Sequence, residues 1–401
     1  MRFVSTITTH PSPTAALVDI ENGFRARLGD EPVHLAFVFV SAAFADKLET
    51  LGAGLNRIFP DAAVLGCTAE GTIGGGREVE RSPSIAVLAA SLPSVGIRPF
   101  HVSQAELEGA TTTAEWVEQL GAKPDQAPIF IALADPFSFR ITDFLDQVNT
   151  HYPGAPVFGG MASAARQPRE NGLLLNEHVY REGLTGVALS GAIRVRAVVS
   201  QGCRPIGRPF VVTRGDQNVM RELGGKPALA ALQEMSSSLP PEDLALAKQA
   251  LLVGQVINEY QESFKRGDFL IHNLLGADPN SGALAIAGPV KVGRTIQFHV
   301  RDAKCADEDL RELLGAARGQ GGPAPAGALL FSCNGRGTRM WPEAGHDVGV
   351  VTDVFERLPT AGCFCAGELG PIGQRNFIHG FTASIALFSG PDGPKSRTLS
   401  V

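Results

Sequence analysis

One pattern occurs three times in this chain and limits the folds open to it. A short apolar run, an amphipathic segment, a proline and a second apolar run ending in small residues follow at similar spacing. In the first copy these are 35–40, 46–58, Pro60 and 63–66, leading into Cys67-Thr-Ala-Glu-Gly-Thr-Ile-Gly-Gly-Gly76. The second copy has 129–133, 142–150, Pro153 and 157–163, and the third has 328–333, 348–358, Pro359 and 361–366. Leu48, Leu51, Leu55 and Ile58 fall on one helical face, and the flanking runs have the length and composition of buried strands. Strand, helix and strand joined by short connections make a right-handed crossover, so the two strands of each copy should be parallel.

Parallel strands bring their carboxyl ends to one edge, where open α/β sheets bind ligands. That edge should collect Ser41, Asp135 and Cys333 from first strands. It should also collect Cys67, Thr68 and Glu70, then Gly159 and Gly160, then Glu368, from the loops after second strands. A third apolar run closes each copy, at 84–90, 186–191 and 384–390. The segments 95–102 and 193–200 read as hairpin partners of the strands before them. The fold class expected is α/β with mixed sheets: repeated β-α-β-loop-β units form two related halves, with helices flanking the sheets.

Between the second and third copies lies different material. Strands are expected at 210–213, 218–222, 269–273, 283–286 and 295–300, and helices at 227–235, 243–260 and 307–317. The boundary between domains is placed near residue 215, with a flexible lead-in over 1–14 and a tail over 391–401.

Composition removes several function classes. The 401 residues carry a net charge of −6, with no Lys/Arg cluster, so neither nucleic acid nor a membrane surface is an expected partner. The first residues lack the apolar run of a signal peptide, and the longest apolar stretch, 33–45, is too short to cross a bilayer. A cytoplasmic location is expected. The six cysteines form no CxxC, and no HExxH, GxSxG or GxxxxGK[ST] string occurs, so no metal or catalytic motif is indicated.

Six strings in order resemble the FIST family of sensory modules. They are Leu65-Gly-Cys-Thr-Ala-Glu-Gly-Thr-Ile-Gly74, Ala134-Asp-Pro-Phe-Ser138, Val157-Phe-Gly-Gly-Met-Ala-Ser163, Gln201-Gly-Cys-Arg-Pro-Ile-Gly207, Phe331-Ser-Cys-Asn-Gly-Arg-Gly337, and Gly367-Glu-Leu-Gly-Pro-Ile-Gly373 with 376–388. The resemblance implies a FIST N-like domain over 15–215 and a FIST C-like domain over 216–390. It implies a sensor of small ligands, with amino acids among them. No F-box segment stands before residue 15 and no kinase, cyclase or DNA-binding segment after 390, so the signal is expected to pass to a separate output protein. One branch of the family is associated with haem and nitric-oxide sensing.

Each candidate residue has a plain structural alternative. Glu70 and Glu368 sit at similar places in two glycine loops; both could take a ligand ammonium, or each could cap its own loop. Arg336 suits a bidentate carboxylate or phosphate clamp, or a salt bridge to a loop acid. Asn334 could bond a ligand or close an Asx turn. Cys67, Cys333, Cys363 and Cys365 read best as small core residues, with Cys363 and Cys365 on one strand face. His379 could contact a ligand, serve haem as an axial ligand, or be a hydrogen-bonded structural histidine. The expectation is a non-enzymatic sensor with no cofactor, holding a small metabolite between its halves. A haem gas sensor, an enzyme using Glu70, Glu368 or a cysteine, and a ligand-free interaction scaffold are the rivals.

Overall fold

The computed structural model describes residues 1–391, so most of the tail expected over 391–401 lies outside the described residues. The mixed α/β class is what the chain adopts, and the strand-helix-strand pattern belongs to a longer repeat. The first copy runs β1 (Arg2–Thr8), α1 (Pro13–Leu28), β2 (Leu35–Ser41), α2 (Leu48–Ile58), β3 (Ala63–Ala69), β4 (Gly71–Gly74), β5 (Arg77–Glu80) and β6 (Ile85–Ser91). The second runs β7 (Val95–Val102), α3 (Gln104–Gly109), α4 (Thr113–Leu120), β8 (Ile129–Ala134), α5 (Ile141–His151), β9 (Val157–Met161), β10 (Leu173–Leu175), β11 (His178–Tyr180) and β12 (Leu184–Gly191).

The third copy begins with β13 (Arg194–Gln201) and is then interrupted in chain order. The interruption holds β14 (Cys203–Asp216), β15 (Val219–Leu223), β16 (Lys226–Pro227), α6 (Ala228–Ser237), α7 (Pro241–Gln249), β17 (Leu251–Val256), β18 (Phe269–Asp278), β19 (Ala283–Ile286) and β20 (Thr295–Arg301). The copy then resumes with α8 (Ala303–Gly319), β21 (Gly327–Cys333), α9 (His346–Phe355), β22 (Thr360–Cys365), β23 (Glu368–Ile372), β24 (Arg375–His379) and β25 (Thr382–Ser389). Two compact units result. One comprises Met1–Val199, Arg311–Ile378 and the chain from Ala383; the other comprises Ser200–Leu310 and His379–Thr382. Residue 215, expected as a boundary, lies inside β14.

In the first unit the three copies build three six-stranded sheets of one design. Their orders are β1-β6-β2-β3-β10-β11, β7-β12-β8-β9-β23-β24 and β13-β25-β21-β22-β4-β5. The parallel pairs expected from the crossovers are present as β2 with β3, β8 with β9 and β21 with β22. The hairpin after each second strand leaves its own copy and completes another sheet. β4–β5 joins the third copy's sheet, β10–β11 the first and β23–β24 the second, so the exchange is cyclic.

The parallel pairs need glycine at one matching place. Gly66 faces Val38, Gly159 faces Ala132 and Gly362 faces Leu330 in register. A Cβ on these glycines would lie 2.3, 1.8 and 1.7 Å from the carbonyl oxygens of those partners. No side chain fits such an approach, which explains why glycine opens the small-residue end of every second strand.

Each sheet turns one face to a shared apolar core that includes Phe37, Phe39, Leu65 and Cys67 of the first copy, Ile131, Leu133 and Phe158 of the second, and Leu329, Phe331, Cys363 and Cys365 of the third. The opposite face of the first sheet packs on Ile20, Phe24, Leu51 and Leu55 of α1 and α2, and that of the second on Trp116, Phe144 and Val148 of α4 and α5.

Several expectations are corrected. Within the expected lead-in, Arg2–Thr8 forms β1 against β6. Residues 95–102 pair with β12 and not with β6, whose two edges are already taken by β1 and β2. Residues 193–200 likewise lie beside β25, since β12 is held between β8 and β7. The helix expected over 243–260 ends at Gln249, and the Leu251–Val256 run becomes β17. No helix among the described residues is long and apolar enough to cross a membrane.

The second unit is a seven-stranded sheet, β14-β20-β17-β18-β19-β15-β16, with α6 and α7 on one face over Ile296, Phe298 and Val300. His299 on β20 points to the other face and is fully buried, edge-on to Phe269 at 4.7 Å. Its Nδ1 donates to Gln297 O at 3.0 Å, and its Nε2 has no partner among the described residues. Burial holds this imidazole down at about 4. The neutral ring stabilises the fold above the unfolded value of 6.5, and that stability is lost as pH falls from 6.5 through 4. We expect the unit to lose about 3 kcal/mol over that range, read by hydrogen exchange of β17, β18 and β20. An unchanged His299→Phe acid profile would refute this.

Candidate functional site

The residues four positions beyond Gly66, Gly159 and Gly362 are Glu70, Ser163 and Ala366, one from each copy. They stand where the three second strands end, and the structure brings these ends together. Ser163 Oγ accepts from Glu70 N at 2.9 Å and donates to Phe364 O at 2.5 Å. Ser163 N reaches Thr68 O at 3.3 Å, Met161 N reaches Gly367 O at 2.9 Å, and Ala366 N reaches Met161 O at 3.0 Å. Backbone groups that would otherwise be open at strand ends are therefore satisfied between copies.

On this frame sits an ion pair. After β21 the chain makes a 3-10 turn over Gly337–Arg339, and Arg339 grips Glu70 with both Nη atoms, Nη1 at 2.9 Å from Oε2. Arg339 Nη1 also bonds Asn334 O, and Asn334 N donates to Cys365 O at 2.8 Å. The Arg339 and Glu70 side chains remain 40% and 31% exposed, so the pair is open to a solute. Of the residues singled out from the sequence, Glu70 and Asn334 lie at this accessible edge.

The others are placed by the fold in structural roles or beneath the surface. Asp135 is fully buried and closes its own turn, accepting from Ser138 Oγ at 2.7 Å, Phe137 N at 3.2 Å and Asn171 Nδ2 at 2.9 Å. Thr68 Oγ1 accepts from Gly172 N at 2.9 Å. Gly159 serves the strand pairing described above, and a Cβ on Gly160 would lie 2.3 Å from Cys365 Sγ. Cys67 is a core residue, and so are Cys363 and Cys365, whose sulfurs are 3.6 Å apart. Burial pushes the Cys363 thiol well above its ordinary value and the Cys365 thiol up, so both are neutral. No group of His, Cys, Asp and Glu among the described residues is arranged to hold a metal ion. His379 is a buried residue at the end of β24 and belongs to the second compact unit.

Arg336 is fully buried; two of its three guanidinium nitrogens are taken, and Nη1 has no hydrogen-bond partner among the described residues. Nε and Nη2 donate to Asp347 at 2.8 and 2.7 Å, so the salt-bridge partner is Asp347 on α9 and not Glu368. Asp347 also accepts from Ser332 Oγ at 2.7 Å and bonds His346 Nδ1 at 2.9 Å. Burial alone would raise the Asp347 carboxyl, but the Arg336 charge and these hydrogen bonds hold it well below the usual carboxylate range. Trp341 lies over the Arg336 guanidinium at 5.0 Å and stacks on His346 at 3.5 Å. Glu368, fully buried on β23, faces Gly160 of β9. It stands six residues after Gly362, where Glu70 stands four after Gly66, so the two acids are not equivalent. Sequence reasoning missed Arg339, Asp347 and Ser163. The repeat offset from each glycine would have found Ser163.

The chain matches the FIST N domain over residues 34–226 and the FIST C domain over 228–371. It is 39% identical over 389 residues to an uncharacterized protein of Mycobacterium tuberculosis, covering 97% of this chain and 100% of the relative. It is also 39% identical over 390 residues to an uncharacterized protein of Mycobacterium bovis, covering 97% and 99%. Among solved structures, a cyanuric acid hydrolase from A. caulinodans aligns over 97% of this chain and 99% of its own at 10% identity. The TM-score of 0.30 transfers neither fold nor function. With both family segments in order and relatives matched end to end, the chain belongs to the FIST family, whose domains are generally small-ligand sensory modules of signal transduction.

Proposed function

We propose that this protein is a non-enzymatic sensor that binds a small zwitterionic metabolite, an amino acid being the simplest case, at the edge where the three second strands end. The Glu70–Arg339 pair carries this reading. It joins a loop of the FIST N segment to a loop of the FIST C segment, is partly exposed, and rests on a hydrogen-bonded frame. A zwitterion that parts the pair replaces the lost contact on both sides, its ammonium on Glu70 and its carboxylate on the Arg339 fork. A simple anion or cation leaves one partner unpaired, which gives selectivity. Ser163 Oγ is committed to Glu70 N and Phe364 O, which favours binding over nucleophilic chemistry. The proposal includes no cofactor. Binding would favour one arrangement of these loops, and a separate output protein would read it, since a ligand shifts an equilibrium only by its differential affinity.

Titration calorimetry with a panel of amino acids, amines and carboxylates tests the reading. A zwitterion should bind, and Glu70→Gln and Arg339→Met should each weaken it about tenfold or more by removing a charge-assisted contact. A panel without a binder, or a binder indifferent to both substitutions, would overturn it.

A further inference from the structure

Two of the three exchanged hairpins are anchored by asparagine amides, and the third by carboxyl groups. β10–β11 is pinned by Asn176, whose Oδ1 accepts from Val64 N at 3.1 Å. β23–β24 is pinned by Asn376, whose Oδ1 accepts from Val157 N at 2.7 Å and whose Nδ2 donates to Ala155 O at 2.9 Å. Amide anchors carry no titrating proton. β4–β5 is anchored by two acids on one face of β5. Glu80 holds Thr338 through its N and Oγ1, both at 2.9 Å. Glu78 is 7% exposed and caps α9, accepting from Val348 N at 2.9 Å and Gly345 N at 3.1 Å.

Two effects compete at Glu78. The two donors and the positive end of the helix favour the carboxylate. Burial first, and the neighbouring Asp347 charge second, favour the proton and raise the group to about 7. The charged groups acting on it are Asp347 of α9 and Glu80 of its own strand, and Asp347 in turn contacts Arg336, from the loop after β21, and the imidazole of His346. Asp347 stays ionised because Arg336, Ser332 and His346 hold it. A proton on Glu78 removes the like-charge repulsion and leaves the carbonyl oxygen to accept one backbone N–H. A carboxylate released to water returns to the ordinary value, so loss of that proton to solvent favours the released state.

We propose that hairpin β4–β5 is a proton-operated latch on the third copy: it holds α9 while Glu78 is protonated and loosens when Glu78 ionises. The latch stands apart from the ligand reading, although it reaches the same edge. Glu70 directly precedes β4, and Thr338, held by Glu80, directly precedes Arg339.

Hydrogen exchange of the full chain, corrected for intrinsic rates, tests this. Peptides spanning 71–80 and 345–350 should open about tenfold more at pH 8 than at pH 6, from a group at about 7 when latched and 4.5 when free. Glu78→Gln should flatten that ratio. A wild-type ratio near one overturns the latch, and so does a ratio that survives in Glu78→Gln, which would assign the titration to His346 or another neighbour. Infrared spectroscopy of the wild type gives a readout independent of the variant's folding. A protonated carboxyl band should be present at pH 6 and gone by pH 8, and its absence at pH 6 overturns the proposal.

Discussion

Asp347→Ala should destabilise the first compact unit by about 3–5 kcal/mol, because it leaves Arg336 charged, fully buried and unpaired. The cost comes from desolvation already incurred and no longer offset, not from the strength of one contact. The double substitution Arg336→Met with Asp347→Leu should recover most of it, since a buried pair replaced by apolar groups of similar volume is often close to neutral. Guanidinium unfolding followed through Trp341, 5.0 Å from the Arg336 guanidinium, in a Trp116→Phe background reports the relevant region. A loss below about 1 kcal/mol for Asp347→Ala, the worth of an exposed pair, would show that this charge is not held in a desolvated site. The sign with pH follows from the depressed carboxyl. Its contribution is full above the ordinary carboxylate range and is lost as acid protonates Asp347.

Gly362→Ala should cost at least about 3 kcal/mol and is expected to give little folded protein. The added Cβ would lie 1.7 Å from Leu330 O and 2.6 Å from its carbonyl carbon. Both are backbone atoms at the middle of a parallel pair, so no rotamer change relieves the clash and the strands must part. Gly159→Ala should do as much, with a contact of 1.8 Å and a φ of +143° added to it. Gly349→Ala is the control. It lies in α9 with nothing within 4 Å, so alanine there should be neutral or stabilise by about 0.5–1 kcal/mol. Thermal or denaturant midpoints compare the three. A Gly362→Ala protein within about 1 kcal/mol of wild type would mean the strands tolerate separation and the repeated glycine has another cause.

The threefold strand-helix-strand pattern, its parallel pairing and its small-residue endings were legible because each is local. Helical and strand periodicity, proline stops and glycine at a close approach leave marks within a few residues. The candidate edge was legible for the same reason, since parallel strands put Glu70 and Asn334 at their carboxyl ends. Roles within that edge were not. Arg336 and Arg339 lie three residues apart in one loop, yet one is fully buried against Asp347 and the other half-exposed on Glu70. Nothing in Asn-Gly-Arg-Gly-Thr-Arg separates them, because α9 and the hairpin that supplies Glu78 and Glu80 arrive from elsewhere in the chain.

By itself, then, the sequence determined the strand-helix-strand elements, their threefold recurrence, the family and the edge at which the candidates Glu70 and Asn334 stand. Only the tertiary structure decided which sheet each strand joined. β7 and β13 leave their chain neighbours because β6 and β12 are already paired on both sides, β1 taking the edge of β6 that β7 would otherwise fill. Pairing is a competition for free edges, and an edge is free or filled only once the rest of the sheet is in place. The cyclic hairpin exchange, the Glu70–Arg339 pair and the Glu78 cap on α9 all follow from that competition.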